Sequence, residues 1–159
     1  MLIKIKPEEV KLAKELIEEF DAQKTHNKFN CKTNYVGILG EIVFDRHLTE
    51  QGIEHSWVKF IKKPSDMPDF FINNVAVDLK TTYSNVMWFQ EPKFDVYVYA
   101  QISEDDKYLH VTSFISKQSL INYTNSPQVE RVKRDNRVDY IIKPADMIDM
   151  SLFSAIRRV

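Results

Sequence analysis

The chain is poor in cysteine: Cys31 is the sole one among 159 residues. A single thiol excludes an internal disulfide and any cysteine-cluster zinc site. The four histidines, His26, His47, His55 and His110, show no metal-ligand spacing among themselves. Long apolar runs are absent as well. None approaches the ~18 residues of a membrane helix, and the N-terminus lacks a signal-peptide pattern. A soluble cytoplasmic protein with no membrane partner is the expectation. Charge of one sign is also missing. The net charge is −1, so any nucleic-acid surface must be local. There is no repeat, low-complexity segment or interdomain linker, and the length implies one domain, residues 1–159, with a proper core.

What is there centres on Pro68–Lys80, which reads Pro-Asp-Phe-Phe-Ile-Asn-Asn-Val-Ala-Val-Asp-Leu-Lys. Two short strands, 69–72 and 75–80, are expected around Asn73-Asn74, because Asn tolerates the left-handed backbone of a two-residue hairpin turn. That turn sets the register: Ile72 faces Val75, Phe71 faces Ala76, Phe70 faces Val77 and Asp69 faces Asp78. Side chains alternate along a strand. Phe70, Ile72, Val75, Val77 and Leu79 therefore form one apolar face, and Asp69, Asp78 and Lys80 gather on the other. Opposed residues have β-carbons roughly 4.5–5.5 Å apart, where like charges destabilise. A divalent cation between the acids is one explanation, since Mg²⁺ takes hard oxygen ligands. A strand-end ion cluster with Lys80 is the other.

Pro-Asp, eight residues, then Asp-x-Lys on a hairpin resembles the signature of the PD-(D/E)xK nuclease superfamily. The resemblance spans about 34–123 in element order. It implies a restriction-endonuclease-like α/β fold, a mixed central β-sheet flanked by helices. It further implies a DNA endonuclease that hydrolyses phosphodiesters with Mg²⁺, or Mn²⁺ in its place. Asp69 and Asp78 would hold the metal, with Glu41 and the Leu79 carbonyl, and Lys80 would assist the attacking water. Asp at position 78 is a common variant of the family's Asp/Glu, and Gln101 ends a strand as polar residues do in some relatives.

The rest of the chain supports that order of elements. Leu2–Lys6 reads as an edge strand, and Pro7-Glu8-Glu9 opens a helix to about Phe20. Asn34 is a candidate N-cap of a buried helix that runs to Glu50 and stops at Gln51-Gly52. Glu41 is the anomaly in that helix, a carboxylate in an apolar run that needs a partner. It pairs with Arg46 or Lys80, reaches the surface, or completes the metal site. Gly37, one turn earlier, would let a backbone or ligand approach closely. His55–Ile61 reads as a strand with Trp57 as a core anchor, and Asp66 is a weaker rival of Asp69. Strands at 94–102 and 107–113 make a hairpin around an acidic turn. A helix over 114–123, a strand over 138–142 and a short tail helix follow. Candidate DNA contacts are Lys62, Lys63 and Thr81, and the basic run Arg131, Lys133, Arg134 and Arg137. Lys59 is a further cation beside the site. With no DNA-reading insertion, the small size points to a homodimer or a partner-dependent nuclease. A nucleic-acid-binding module that does not cut is the alternative.

Overall fold

A computed structural model describes residues 1–23, 31–59, 67–89, 91–127, 129–134 and 137–149. Lys62, Lys63, Asp66 and the expected tail helix lie outside them. Chain order is β1 (Leu2–Lys4), α1 (Pro7–Gln23), α2 (Cys31–Glu50), β2 (His55–Trp57), β3 (Phe70–Ile72), β4 (Val75–Thr82), β5 (Met87–Phe89), β6 (Val96–Ile102), β7 (Tyr108–Ser116), α3 (Lys117–Thr124), β8 (Glu130–Arg134), β9 (Arg137–Ile142) and β10 (Ile148–Asp149).

Local chemistry accounts for the helix ends. Lys6 N–H donates to Glu9 Oε2 at 2.6 Å, half of a capping box that takes up a backbone donor at the start of α1. Apolar residues nearly all round α2 bury Val36, Ile38, Leu39, Ile42, Val43, Phe44 and Leu48. The helix begins at Cys31, so Asn34 sits inside its first turn and does not cap it. Its far end closes as a Schellman motif: Ile53 N–H donates to Leu48 O and Gly52 N–H to Thr49 O, each at 3.0 Å. Gly52 takes the left-handed φ of +64° that this closure needs.

Among the described residues, seven strands form the main sheet in the order β1-β7-β6-β4-β3-β2, with β10 also on β7. The β4–β6 pair is parallel and the others are antiparallel. This is the mixed central sheet flanked by helices expected from the motif. One face packs with α1 and α2, burying Ala13, Ile38, Leu39, Val77, Leu79, Val98 and Ala100. The other carries Tyr97, Tyr99 and Ile115, which pack with Leu120 of α3 and with Met87, Phe89 and Ile142.

Those last three belong to a feature that sequence reasoning did not foresee, a separate three-stranded sheet ordered β5-β9-β8. The expected helix over 114–123 also changes. Phe114 and Ile115 are strand residues of β7, and α3 starts only at Lys117 with Ser116 as its N-cap. Phe114 packs in one core cluster and Ile115 in the other. A strand buried on both faces shows the same adjacent apolar pair as a buried helix.

Candidate active site on the β3–β4 hairpin

The hairpin forms with Phe70 opposite Val77, Phe71 opposite Ala76 and Ile72 opposite Val75. Asn73 and Asn74 adopt φ values of 49° and 68°, the paired left-handed residues of a type I′ turn. Asp69 precedes β3 and is not among its register pairs with β4, but it still bonds to both neighbouring strands. Its N–H donates to Val77 O at 3.1 Å, and its carbonyl accepts from Val58 N–H at 2.8 Å. Pro68, buried beside it, has no N–H to extend the ladder. The carboxylate takes over: Asp69 Oδ2 accepts from Leu79 N–H at 2.6 Å. Because N–H and C=O of one strand residue leave on the same side, the Leu79 carbonyl also points toward this end of the hairpin.

Asp78 and Lys80 alternate away from Leu79 and share a sheet face with Tyr97 and Tyr99, their β6 neighbours. Lys80 Nζ lies 2.6 Å from Asp78 Oδ2, with the Asp78 side chain 5% and the Lys80 side chain 38% exposed. The contact is an ion pair with a buried carboxylate oxygen. Desolvation lowers the Lys80 pKa, but the negative charges of Asp78 and then Asp69 outweigh it and hold the ammonium above the ordinary lysine value. Asp69 and Asp78 are each about 5% exposed. Burial raises the Tyr97 hydroxyl pKa, against the opposing pull of backbone N–H groups from Phe94 and Lys93.

Glu41, also 5% exposed, meets neither Arg46 nor Lys80 in the way considered from the sequence. Arg46 is spent on Glu9 at 2.7 Å, Glu50 at 2.6 Å and Lys4 O at 2.8 Å. Glu41 Oε2 instead accepts from the Trp57 indole N–H at 2.8 Å. The expected close approach at Gly37 falls one turn later. Gly37 faces open space, whereas a β-carbon on Gly40 would sit 2.1 Å from Thr81 Oγ1. Thus α2 lies hard against the Thr81 face of β4. Thr81 Oγ1 is buried there with no hydrogen-bond partner among the described residues.

The hydroxyl-rich stretch after Lys80 finishes β4 at Thr82 and then turns at Tyr83-Ser84. Thr82 Oγ1 accepts from Ser84 N–H at 3.0 Å, and Gln101 Nε2 donates to Tyr83 O at 3.0 Å. The Tyr99 hydroxyl donates to Ser84 O. Asp106 accepts from Tyr83 at 2.8 Å and from Tyr35 at 2.9 Å. Gln101 thereby supports the turn, tying it to β6. Of the basic run, Arg131 is exposed but donates to Thr124 O at 2.8 Å and Ser126 O at 3.2 Å, at the carbonyl end of α3. Lys133 is exposed on β8, and for Arg134 only the backbone is described.

The donor set fits a hard cation in part. Two buried carboxylates, one of them ion-paired with Lys80, match the one or two protein ligands that Mg²⁺ takes beside its waters. Among the described residues, however, no group of three or more His, Cys, Asp or Glu side chains is arranged to hold a metal. No family model matches the chain, and no curated protein does. Among solved structures, a nuclease from a fusellovirus aligns at a TM-score of 0.47 and 11% identity, covering 86% of this chain and 96% of that one. A likeness of that size carries no argument about activity. The geometry itself establishes an α/β fold with a mixed central sheet, on whose hairpin Asp69, Asp78 and Lys80 come together.

Proposed function

We propose that the chain is a metal-dependent DNA nuclease of the PD-(D/E)xK superfamily, acting as an endonuclease. One observation carries this reading: two buried carboxylates on facing hairpin strands, with the Lys80 ammonium 2.6 Å from one of them. Buried like charges are unfavourable unless something offsets them, and here the offset is a lysine only two residues along the same strand. Asp69 and Asp78 would hold Mg²⁺ or Mn²⁺, with Glu41 and the Leu79 carbonyl as further ligands. A bound divalent cation supplies Lewis-acid polarisation and acidifies a ligand water.

The chain's own residues do the rest. The carboxylates repel an approaching phosphate until their charge is neutralised. Lys80 brings a positive charge to a phosphate oxygen as negative charge grows there. Lys62, Lys63, Lys133 and Arg134 would meet the DNA backbone, Arg131 adding positive charge from its place at the end of α3 and Thr81 packing beneath the site. One domain of this size would cut duplex DNA as a homodimer or with a partner.

Cleavage of supercoiled, linear, single-stranded and branched DNA with Mg²⁺, Mn²⁺ or EDTA tests the reading, beside Lys80→Ala and Asp78→Asn. Cutting that needs the metal and is lost in both variants is the expected result. Binding without cutting of any substrate would leave the non-cleaving module.

A further inference from the structure

The loop that leads into β6 is fixed at three consecutive residues beside the Asp78–Lys80 pair. Tyr97 faces Asp78 in the β4–β6 register, and the charges of both Asp78 and Lys80 act on its hydroxyl. That hydroxyl accepts from Lys93 N–H at 2.6 Å and from Phe94 N–H at 3.1 Å. The chain therefore turns back over the Tyr97 ring, and Phe94 packs on it with ring centroids 6.2 Å apart. Lys93 O accepts from Lys117 Nζ at 3.1 Å. Asp95 N–H donates to Ala76 O at 3.0 Å, and its carbonyl accepts from Lys117 N–H at 2.8 Å. Its carboxylate accepts from Ala76 N–H at 2.9 Å. Contacts from β4, β6 and α3 thus hold one short rim in place. The cation on that rim is Lys93. Its side chain is exposed, and among the described residues no acid pairs with it.

We propose that Lys93 is a substrate-binding residue, whose ammonium holds a DNA backbone phosphate next to the one at the Asp78–Lys80 pair. The choice of ligand rests on the proposed nuclease function. Two buried carboxylates and one ammonium leave the site net negative before any metal binds, so an incoming phosphodiester gains from a second cation. Lys93 offers that cation on backbone that is already ordered, which lowers the entropy lost on binding. A lysine ammonium acts as a point charge, and phosphate contacts fix position without reading sequence. The rim therefore sets the placement of the strand and leaves base choice open.

The test is binding of short DNA duplexes of unrelated sequence over a range of NaCl, with EDTA or Ca²⁺ in place of Mg²⁺. The proteins are the parent, Lys93→Gln, Lys93→Arg and Lys14→Gln. Lys14 is exposed on α1, which packs on the opposite face of the main sheet, and it controls for net charge. Lys93→Gln should flatten the slope of log affinity against log salt by about 0.9, one duplex phosphate, for every sequence. Lys93→Arg should restore the slope, and Lys14→Gln should leave it unchanged. In cleavage with Mg²⁺, KM of Lys93→Gln should rise by a larger factor than kcat falls. An unchanged slope in Lys93→Gln, or an equal drop in Lys14→Gln, would overturn the inference, while cleavage by the parent would keep the nuclease reading. A parent that shows the Lys93-dependent slope and cuts nothing would support the contact and remove the nuclease. A parent that neither binds nor cuts DNA would remove both.

Discussion

Lys80 is held between two carboxylates and solvent, and its chemistry follows from that position. Replacing it with Ala leaves Asp78 Oδ2 buried with neither ion nor donor, and Asp78→Asn removes the charge that the ammonium faces. Each change should lower cleavage by roughly 10²–10³-fold, the range for losing one pre-organised electrostatic contact, as read in single-turnover assays. The tyrosines give a pH test away from the carboxylates. Burial raises Tyr99 to about 12. Burial, then the hydrogen bond and charge of Asp106, raises Tyr83 to about 12. An unfolded tyrosine ionises near pH 10. The unfolded chain therefore loses these protons first. The stability they contribute is complete below about pH 10 and drains away as pH rises toward 12. A spectrophotometric titration should show late-ionising tyrosines, fewer by one in Tyr83→Phe, whose alkaline unfolding should also be shallower.

At the scale of elements, the joint between α2 and β4 is set by Gly40. A methyl at that position would meet Thr81 Oγ1 at 2.1 Å and its β-carbon at 2.7 Å, so the helix must lift from the strand. Gly40→Ala should cost about 1–3 kcal/mol by overpacking, measured by denaturant unfolding, and should impair cleavage because Glu41 is the next residue. Adding Thr81→Gly should recover part of both. A second joint ties β1, α1 and α2 through Arg46, whose guanidinium meets Glu9, Glu50 and the Lys4 carbonyl. The Glu9 side chain is only 7% exposed. Arg46→Ala strands that charge and should cost about 3 kcal/mol. Glu50 is a surface partner worth little alone.

Across the whole molecule, a net charge of −1 means that the DNA affinity proposed above would depend on a few local cations. Lys133→Ala should weaken binding about equally for all sequences and reduce the salt-dependence slope by about one phosphate contact. An unchanged slope would remove Lys133 from the DNA surface. The hairpin was legible in the sequence because a two-residue turn and period-two alternation are local properties. The adjacent acids and lysine inherit their face from that alternation. The partner of Glu41 was not legible, since Trp57 lies 16 residues away and reads equally well as a plain core anchor. Gly37 and Gly40 look alike in one sequence, and only the helix's rotation on the sheet decides which one meets a strand.

The amino-acid sequence by itself determined the hairpin register from Phe70 to Val77, the left-handed Asn pair, the helix stop at Gly52 and the shared face of Asp78 and Lys80. Each depends on contacts within a few residues, where backbone preference and alternation leave little choice. Tertiary structure alone decided the rest. It put β5, β8 and β9 into their own sheet, sent Phe114 and Ile115 to opposite cores, and gave Glu41 its indole partner. Those outcomes depend on which distant surfaces meet. Burial rewards any apolar face that finds a complement, so the partner is chosen by the packing of the whole chain.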